Sequence, residues 1–365
     1  MGLKGGEGAA LRELVAGGIE GRMFPGAVVV VSRGGETVFH EAFGRTTYDA
    51  ARSRAIRRDD LFDLASLTKL FTTTLVLRLV EQGALRLDDA VRRHVPEVES
   101  DWTVADLLAH RTGTTAGLLG RAAREGIRPC EPGQAAALWR VIFGCEGEVE
   151  LAEGQSHYSD IDLLLAQAVC ERATGRGLAD LMASEVTGPL GLRDTGFCPA
   201  DCARCVPTEI DDRWRHRLVV GEVHDEMAHT LGGVAGHAGL FSTAADVGRF
   251  CEAWLGVGPV SLLSDAVREE AWRPHSAGFG LGWGLCNAAS SFPSLERYGA
   301  VGHLGFTGTW ACVLPGLDVA LVVLANRVYP TRDAAPSRLP LLREVADRVV
   351  WWCEGAEERR LTKRL

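Results

Sequence analysis

The chain has 365 residues, with 39 Lys and Arg against 48 Asp and Glu and a net charge of −9. Hydrophobic residues make up 46%, an ordinary globular share, and the length gives ample core for one large domain or two intergrown ones. The longest basic cluster is "DDRWRHR" at 211–217, which argues against a nucleic-acid partner, and no run of eighteen apolar residues argues for a membrane span.

The opening segment "MGLKGGEGAALRELVAGGIEGRMFPG" lacks the long apolar core of a secretion signal, so a cytoplasmic location is expected. Its Leu11, Leu14, Val15 and Ile19 predict a short amphipathic helix. "PGAVVVVSRGGETVFHEAFG" reads as two strands around an Arg33-Gly34-Gly35 turn. In "DLFDLASLTKLFTTTLVLRLVEQG" (60–83), a short extended lead gives way to a helix. Leu70, Thr73, Leu77 and Val80 keep helical spacing as far as Gly83. Ser66 and Lys69 share one face at its head. In an arbitrary chain such a pair is a helix cap and a solvent-facing lysine. It is also a nucleophile and its proton acceptor, provided that burial and polar neighbours leave the lysine neutral or sharing its proton.

"RLDDAVRRHVPE" reads as loop with a helical turn, and "TVADLLAHRTG" (103–113) as a short helix closed by Gly113. Residues 114–155 are rich in Gly and Ala and weakly patterned. Helices are predicted over "YSDIDLLLAQAVCERATG" (158–175) and "GLADLMASEVTGPLG", followed by a loop region over 193–240. Thr243 then caps a helix with Asp246 at its N3 position. "HYSD" offers Tyr158 as a proton relay to a leaving group, with Asp160 in the helix's first turn, where negative charge is favoured. Its ordinary reading is a tyrosine covering an interdomain seam. Of the ten cysteines, Cys170, Cys251, Cys312 and Cys353 sit in apolar contexts as small buried hydrophobes. Cys198, Cys202 and Cys205 in "CPADCARC" have a C-x3-C-x2-C spacing that holds iron–sulfur clusters, and three thiolates also grip zinc. They lie mid-chain with no barrel-like alternation after them, so a loop of free thiols is expected, with no metal and no cofactor.

Strand character returns in "GFGLGWGLC" and "AVGHLGFTGTWACVLPGLDVALVVLANR", an antiparallel meander closed by the helix "LPLLREVADRVVWW". The glycines of "GHLGFTGT" (302–309), Gly305 among them, allow backbone to approach another group, with His303 beside them. Read alone, that stretch is a tight strand entry and a surface histidine. The expected layout is an α/β domain from residues 1–95 and 260–365, built on a central antiparallel sheet. A mainly helical domain of residues 96–259 is inserted into it, with the site in the cleft between.

S-x-x-K, then Y-x-[ND], then a K/H-x-G strand, in that order, resemble the serine β-lactamase and penicillin-binding-protein superfamily, above all its class C and esterase-like branch. "DLASLTKLFTT", "LLAHRTG", "LGGVAGHAGLFSTAADVGRF" and "GHLGFTGT…VVLANRVYPT" look like blocks of that family, from about Phe24 to about Arg348. The resemblance implies a β-lactamase/transpeptidase-like α/β fold, with Ser66 as the acylated nucleophile and Lys69 as its general base. It puts Tyr158 in the proton network and makes the oxyanion hole from the backbone N–H groups of Ser66 and Phe306. His303 then fills the lysine position of the triplet that ends at Gly305. Asp160 stands where lactamases usually carry asparagine. A carboxylate donates no hydrogen bond unless protonated, so Asp160 either repels a substrate oxygen or pairs with Lys69 and holds it charged.

The missing export signal and His303 in place of lysine point away from penicillin resistance and D-Ala-D-Ala carboxypeptidase work. They favour an ester or amide of a small intracellular metabolite. Hydrolysis is the broader expectation, with transfer to an amine or alcohol acceptor as the alternative. A non-catalytic binding protein on the same scaffold predicts a broken constellation, whereas Ser66, Lys69 and Tyr158 are all present.

Overall fold

The computed structural model describes residues 6–362 apart from 52 and 116, so the first five residues of the opening segment lie outside it. Its longer helices are α1 (Gly6–Glu20), α2 (Thr68–Glu81), α3 (Asp160–Thr174), α4 (Ala244–Leu255) and α5 (Leu339–Thr362). The main sheet is built from β1 (Gly26–Arg33), β2 (Glu36–Gly44), β3 (Gly284–Leu285), β4 (Val301–Leu304), β5 (Trp310–Leu314) and β6 (Val319–Ala325). All neighbours run antiparallel, in the order β2-β1-β6-β5-β4-β3. The N-terminal hairpin therefore joins the C-terminal meander through β1 against β6.

Successive side chains of a strand point to opposite faces, and here both faces are covered. Val29, Val31, Cys312, Leu314, Leu321 and Val323 pack with Leu11 and Val15 of α1 and with Leu342, Val345 and Val349 of α5. Val28, Val30, Ala311, Val313, Val322 and Leu324 pack on the other face with Phe71 and Leu75 of α2 and Val247 and Phe250 of α4. Burial on both faces explains why "AVVVV" and "VALVVLA" are unbroken apolar runs rather than alternating ones. The result is an antiparallel sheet flanked by helices, with a helical region between its two halves in sequence.

Ser159 caps α3 by accepting the Ile161 N–H at 3.2 Å, and Gly175 ends it at φ 69°. Thr243 accepts the Asp246 N–H at 3.2 Å to start α4, but the Asp246 carboxylate turns to the Asp194 N–H and the Thr195 hydroxyl. The capping box expected there is half made.

Several expectations need correction. Residues 114–155 contain two helices, Leu118–Arg124 and Ala135–Phe143. The second buries Leu138 and Ile142 and stacks Trp139 on Phe143 at 5.3 Å, a short face hidden in sequence by the surrounding Gly and Pro. The helix expected over 103–113 spans only Val104–Leu108, and beyond it His110 takes φ +54°. The helix expected after residue 175 is Leu178–Leu181 running into a π-turn over Met182–Thr187. The 193–240 region holds a short helix, Glu226–Thr230, capped by Asp225. The basic cluster "DDRWRHR" is a largely exposed turn, with Asp212, Arg213, Trp214, His216 and Arg217 facing solvent. It turns between the paired strands Ile210–Asp211 and Arg217–Leu218, with Arg215 buried against Asp211 and the carbonyls of Val223 and His224. Among the described residues no helix is long and apolar enough to cross a membrane.

Candidate active site

The site is organised by a bent stretch of backbone just ahead of α2. Ala65 sits at φ +47°, a region that residues with a side chain seldom occupy. Its N–H donates to Asp63 Oδ1 at 2.8 Å, while Asp63 Oδ2 accepts the His224 N–H at 2.6 Å. Asp63 is buried, and burial pushes its pKa up despite these bonds. From the turn between β4 and β5, Thr307 Oγ1 donates to the Asp63 carbonyl at 2.7 Å and Thr309 Oγ1 to the Leu64 carbonyl at 2.8 Å. A Cβ on Gly305 would lie 2.4 Å from the Leu64 oxygen and 2.0 Å from Thr309 Oγ1, so this approach requires glycine. Two motifs far apart in sequence are thereby fastened together, and Ser66 emerges half-buried in the 3-10 turn Ala65–Leu67 between them.

Lys69 follows one turn later and is completely buried. Its Nζ donates to Ser66 Oγ at 2.9 Å and to the His237 carbonyl at 3.3 Å, and pairs with Asp160 Oδ1 at 2.8 Å. It also stands 4.9 Å from the centre of the Tyr158 ring. Burial alone would push this ammonium down, but the charge of Asp160, the proximity of Tyr158 and hydrogen bonds to both outweigh it. Lys69 is raised above the ordinary lysine range. Of the two alternatives left open by the sequence, the structure favours the second: in the resting arrangement Asp160 pairs with Lys69 and holds it as an ammonium. The Asp160 carboxylate resists the upward push of burial through the charges of Lys69 and His237 and ends below its usual value.

Tyr158 precedes α3 rather than opening it. It packs on His110, ring centres 4.8 Å apart, and on Phe279 at 6.0 Å. His110 is fixed in turn by Asp162, Nδ1 to Oδ2 at 2.8 Å, and Thr112 and Thr114 donate to the other oxygen of that carboxylate. Burial raises the Tyr158 phenol more than the Lys69 charge and hydrogen bonding with Lys69 and Ser66 lower it. The phenol is neutral at rest.

His303, expected beside the glycine turn, is buried rather than on the surface. Its ring centre is 5.8 Å from that of Tyr158, and its Nδ1 donates to the Leu304 carbonyl at 3.0 Å. Burial first, and then the charge of Lys69, push it down to about 3, so it is neutral. Phe306 is half-exposed, stacked on His224, with the Arg327 and Arg332 guanidiniums over its ring. Arg338 Nη2 donates to the Gly305 carbonyl at 2.8 Å and Arg327 Nη2 to the Phe306 carbonyl at 3.2 Å. In a planar trans peptide the Phe306 N–H points opposite to the Gly305 carbonyl, so the grip of Arg338 sets the direction of that N–H. Beside Ser66 opens a cleft of about 580 Å³ whose walls include Tyr158, Phe279, Leu285, Phe292, His303 and Trp310.

Asp63, His110, Asp162, Asp225, His237 and Arg338 were not singled out by the sequence reading. His110 lies inside the "LLAHRTG" block and His237 inside "LGGVAGHAGLF", yet nothing in their spacing says what they touch. Among the described residues, Asp160, Asp225 and His237 form the one cluster with metal-ligand spacing. The Lys69 ammonium already stands against Asp160 there. Cys198, Cys202 and Cys205 do not converge: their thiols point to the carbonyls of Gly232, Pro199 and Asp201 respectively. Burial raises Cys205 to about 12, which disfavours the thiolate a metal needs.

The family model described as "Beta-lactamase" matches residues 11–344. Among curated relatives, a "Putative D-alanyl-D-alanine carboxypeptidase" of Escherichia coli O157:H7 is 28% identical, over 88% of this chain and 82% of that protein. Among solved structures, EstCE1, "a hydrolase with promiscuous acyltransferase activity", superposes with a TM-score of 0.76 at 22% identity, covering 94% of this chain and 98% of the other. A simvastatin synthase (LovD) variant from Aspergillus terreus gives 0.73 at 18%, covering 96% and 100%. A class C beta lactamase from Rhodobacter sphaeroides gives 0.70 at 21%, covering 95% and 100%. These structural likenesses concern the fold.

Proposed function

This chain belongs to the beta-lactamase family, and from that premise we propose that it is an acyl-transfer enzyme working through an acyl-enzyme on Ser66. The observation that carries the proposal is the buried Lys69 Nζ, 2.9 Å from Ser66 Oγ, with Tyr158 beside it. An ammonium accepts no proton, so the reactive form is the one in which the Ser66–Lys69–Asp160 trio has lost one. In that form Lys69 takes the Ser66 proton as Oγ attacks the substrate carbonyl. The N–H groups of Ser66 and Phe306 face the developing oxyanion, the latter aimed by Arg338. Tyr158 passes the proton to the departing alcohol or amine.

The substrate is an ester or amide of a small molecule. A neutral His303 offers no charge to a substrate carboxylate, which weighs against cell-wall peptides and lactams. Hydrolysis is the first reading. Transfer to an alcohol or amine is the second, favoured by a cleft whose size exceeds what water alone requires. Ser66, Tyr158 and His303 come from residues 1–95, 96–259 and 260–365 in turn. This supports a two-part molecule with the helical insertion supplying one wall of the site.

The test is turnover of a panel of small esters with and without hydroxylamine, scoring acid against hydroxamate by mass. Both products should form with the wild type and neither with Ser66→Ala. Undiminished turnover by Ser66→Ala would sink the proposal.

A further inference from the structure

We propose that the cleft beside Ser66 is the seat of the alcohol or amine, as leaving group and as acceptor, and that it selects a bulky apolar one. The inference rests on the acyl-enzyme reading above and adds which half of the substrate is recognised and by what chemistry. Whatever leaves the tetrahedral intermediate needs a proton. Lys69 holds the one taken from Ser66, and Tyr158, its ring centre 4.9 Å from Lys69 Nζ, stands between that ammonium and the cleft to relay it. Tyr158 lines the cleft, whereas Lys69 and Asp160 do not. The departing atom, and an acceptor arriving by the reverse path, therefore lie on the cleft side.

The cleft is uncharged along most of its wall. Phe279, Leu285, Leu304 and the stacked pair Phe292–Trp310, ring centres 4.9 Å apart, supply its apolar surface. Among the described residues no Asp, Glu or Lys lines it, and His303 is neutral. The one guanidinium there, Arg338, turns its Nη2 to the Gly305 carbonyl and leaves its buried Nε without a partner. A volume of about 580 Å³ is that of a site for a molecule well beyond methanol or water. In the transfer step a lone pair of the acceptor oxygen or nitrogen attacks the acyl carbon on Ser66. The carbon–Oγ bond breaks, and the acceptor proton passes through Tyr158 and Lys69 to Oγ, so nothing is oxidised or reduced.

The experiment fixes the acyl group and varies the acceptor. Acetyl-enzyme is formed from p-nitrophenyl acetate, and the ratio of acetate ester to free acetate is measured with methanol, 1-butanol, 1-hexanol, 2-phenylethanol and, as a charged control, glycolate. Transfer should rise by about fourfold for each added methylene, as expected for burial of apolar surface, until the cleft is full. Glycolate should transfer no better than methanol. A second arm varies the acyl chain from acetyl to hexanoyl with water as acceptor, and acylation rates should change far less. A ratio flat in alcohol size, or a steeper dependence on the acyl chain than on the alcohol, overturns the inference. Leu285→Glu should abolish the preference for 1-hexanol, and so should Ala289→Trp at the exposed rim, which serves if the first variant does not fold. A preference surviving in a folded variant also overturns it. A Ser66 acetyl adduct with flat selectivity defeats this inference alone, whereas no adduct on Ser66 defeats the acyl-enzyme reading and this inference with it.

Discussion

On one side of Ser66 lies charge taken out of water. Lys69 is wholly buried against Asp160, and the Asp225–His237 pair stands behind at 3.0 Å. On the other side lies the cleft, where Tyr158 and His303 are neutral and the walls are largely aromatic and aliphatic. On the proposed mechanism the first region holds a proton and controls when it leaves. The second offers shape and a mainly apolar surface, with Asn287, Ser290, Ser291 and Arg338 among its polar points. An ion pair whose lysine is wholly buried, even against a partly exposed Asp160, is costly to maintain and destabilising when only one partner is removed. Its presence beside a nucleophile therefore points to control of protonation, while the neutral side is free to recognise a substrate without disturbing that balance.

Removing the charge on the first side should have the largest effect. Lys69→Ala eliminates the proposed proton acceptor and should slow acylation about a thousandfold, measured as the single-turnover burst with an activated ester. It also leaves Asp160 without its partner, so a lower Tm should accompany the loss. On the boundary between the two sides, Tyr158→Phe keeps the ring that packs on His110 and Phe279 and loses the hydroxyl. Turnover should fall about a hundredfold with KM little changed. Wild-type rates in either variant would reduce that side to scaffolding.

Asp160→Asn sharpens the comparison instead of breaking it. The Asp160 charge raises Lys69, so the deprotonated trio becomes populated only as pH climbs. Without that charge the rising limb of acylation rate against pH should move about one unit toward lower pH. Stability follows the same linkage. A raised Lys69 stabilises the fold fully below the unfolded lysine value of about 10.4, and that contribution fades as pH rises beyond it. At pH 7 the Asn variant lacks it and should melt earlier. An unmoved limb would contradict the assignment of Lys69 as the titrating base. The smallest effect belongs to neither side: replacing Cys198, Cys202 and Cys205 together by serine should leave ester turnover within about twofold, because the thiols face separate backbone carbonyls.

The apolar framework was legible in sequence because both faces of the sheet are covered, which turns β1 and β6 into unbroken hydrophobic runs. The pairing of Ser66 with Lys69 was legible because an i, i+3 spacing keeps them on one side, here across the 3-10 turn Ala65–Leu67 that runs into α2. Tyr158 and His303 were singled out through their motifs, each an ordinary residue when read alone. Asp63 was not. Its importance lies in two backbone N–H groups it accepts, one from 161 residues away, and no local pattern encodes such a contact. The charge state of Lys69 was equally out of reach, since burial and Asp160 act in opposite directions and only the 2.8 Å distance shows which prevails. The helix at 135–143 was obscured by its short apolar face and flanking glycines.

The central claim is that Ser66 becomes covalently acylated, and intact mass after treatment with a fluorophosphonate tests it most directly. One adduct per chain is predicted, mapping by peptide mass to Ser66 and absent from Ser66→Ala. An adduct of the same stoichiometry in Ser66→Ala, or one mapping to another residue of the wild type, would contradict the account.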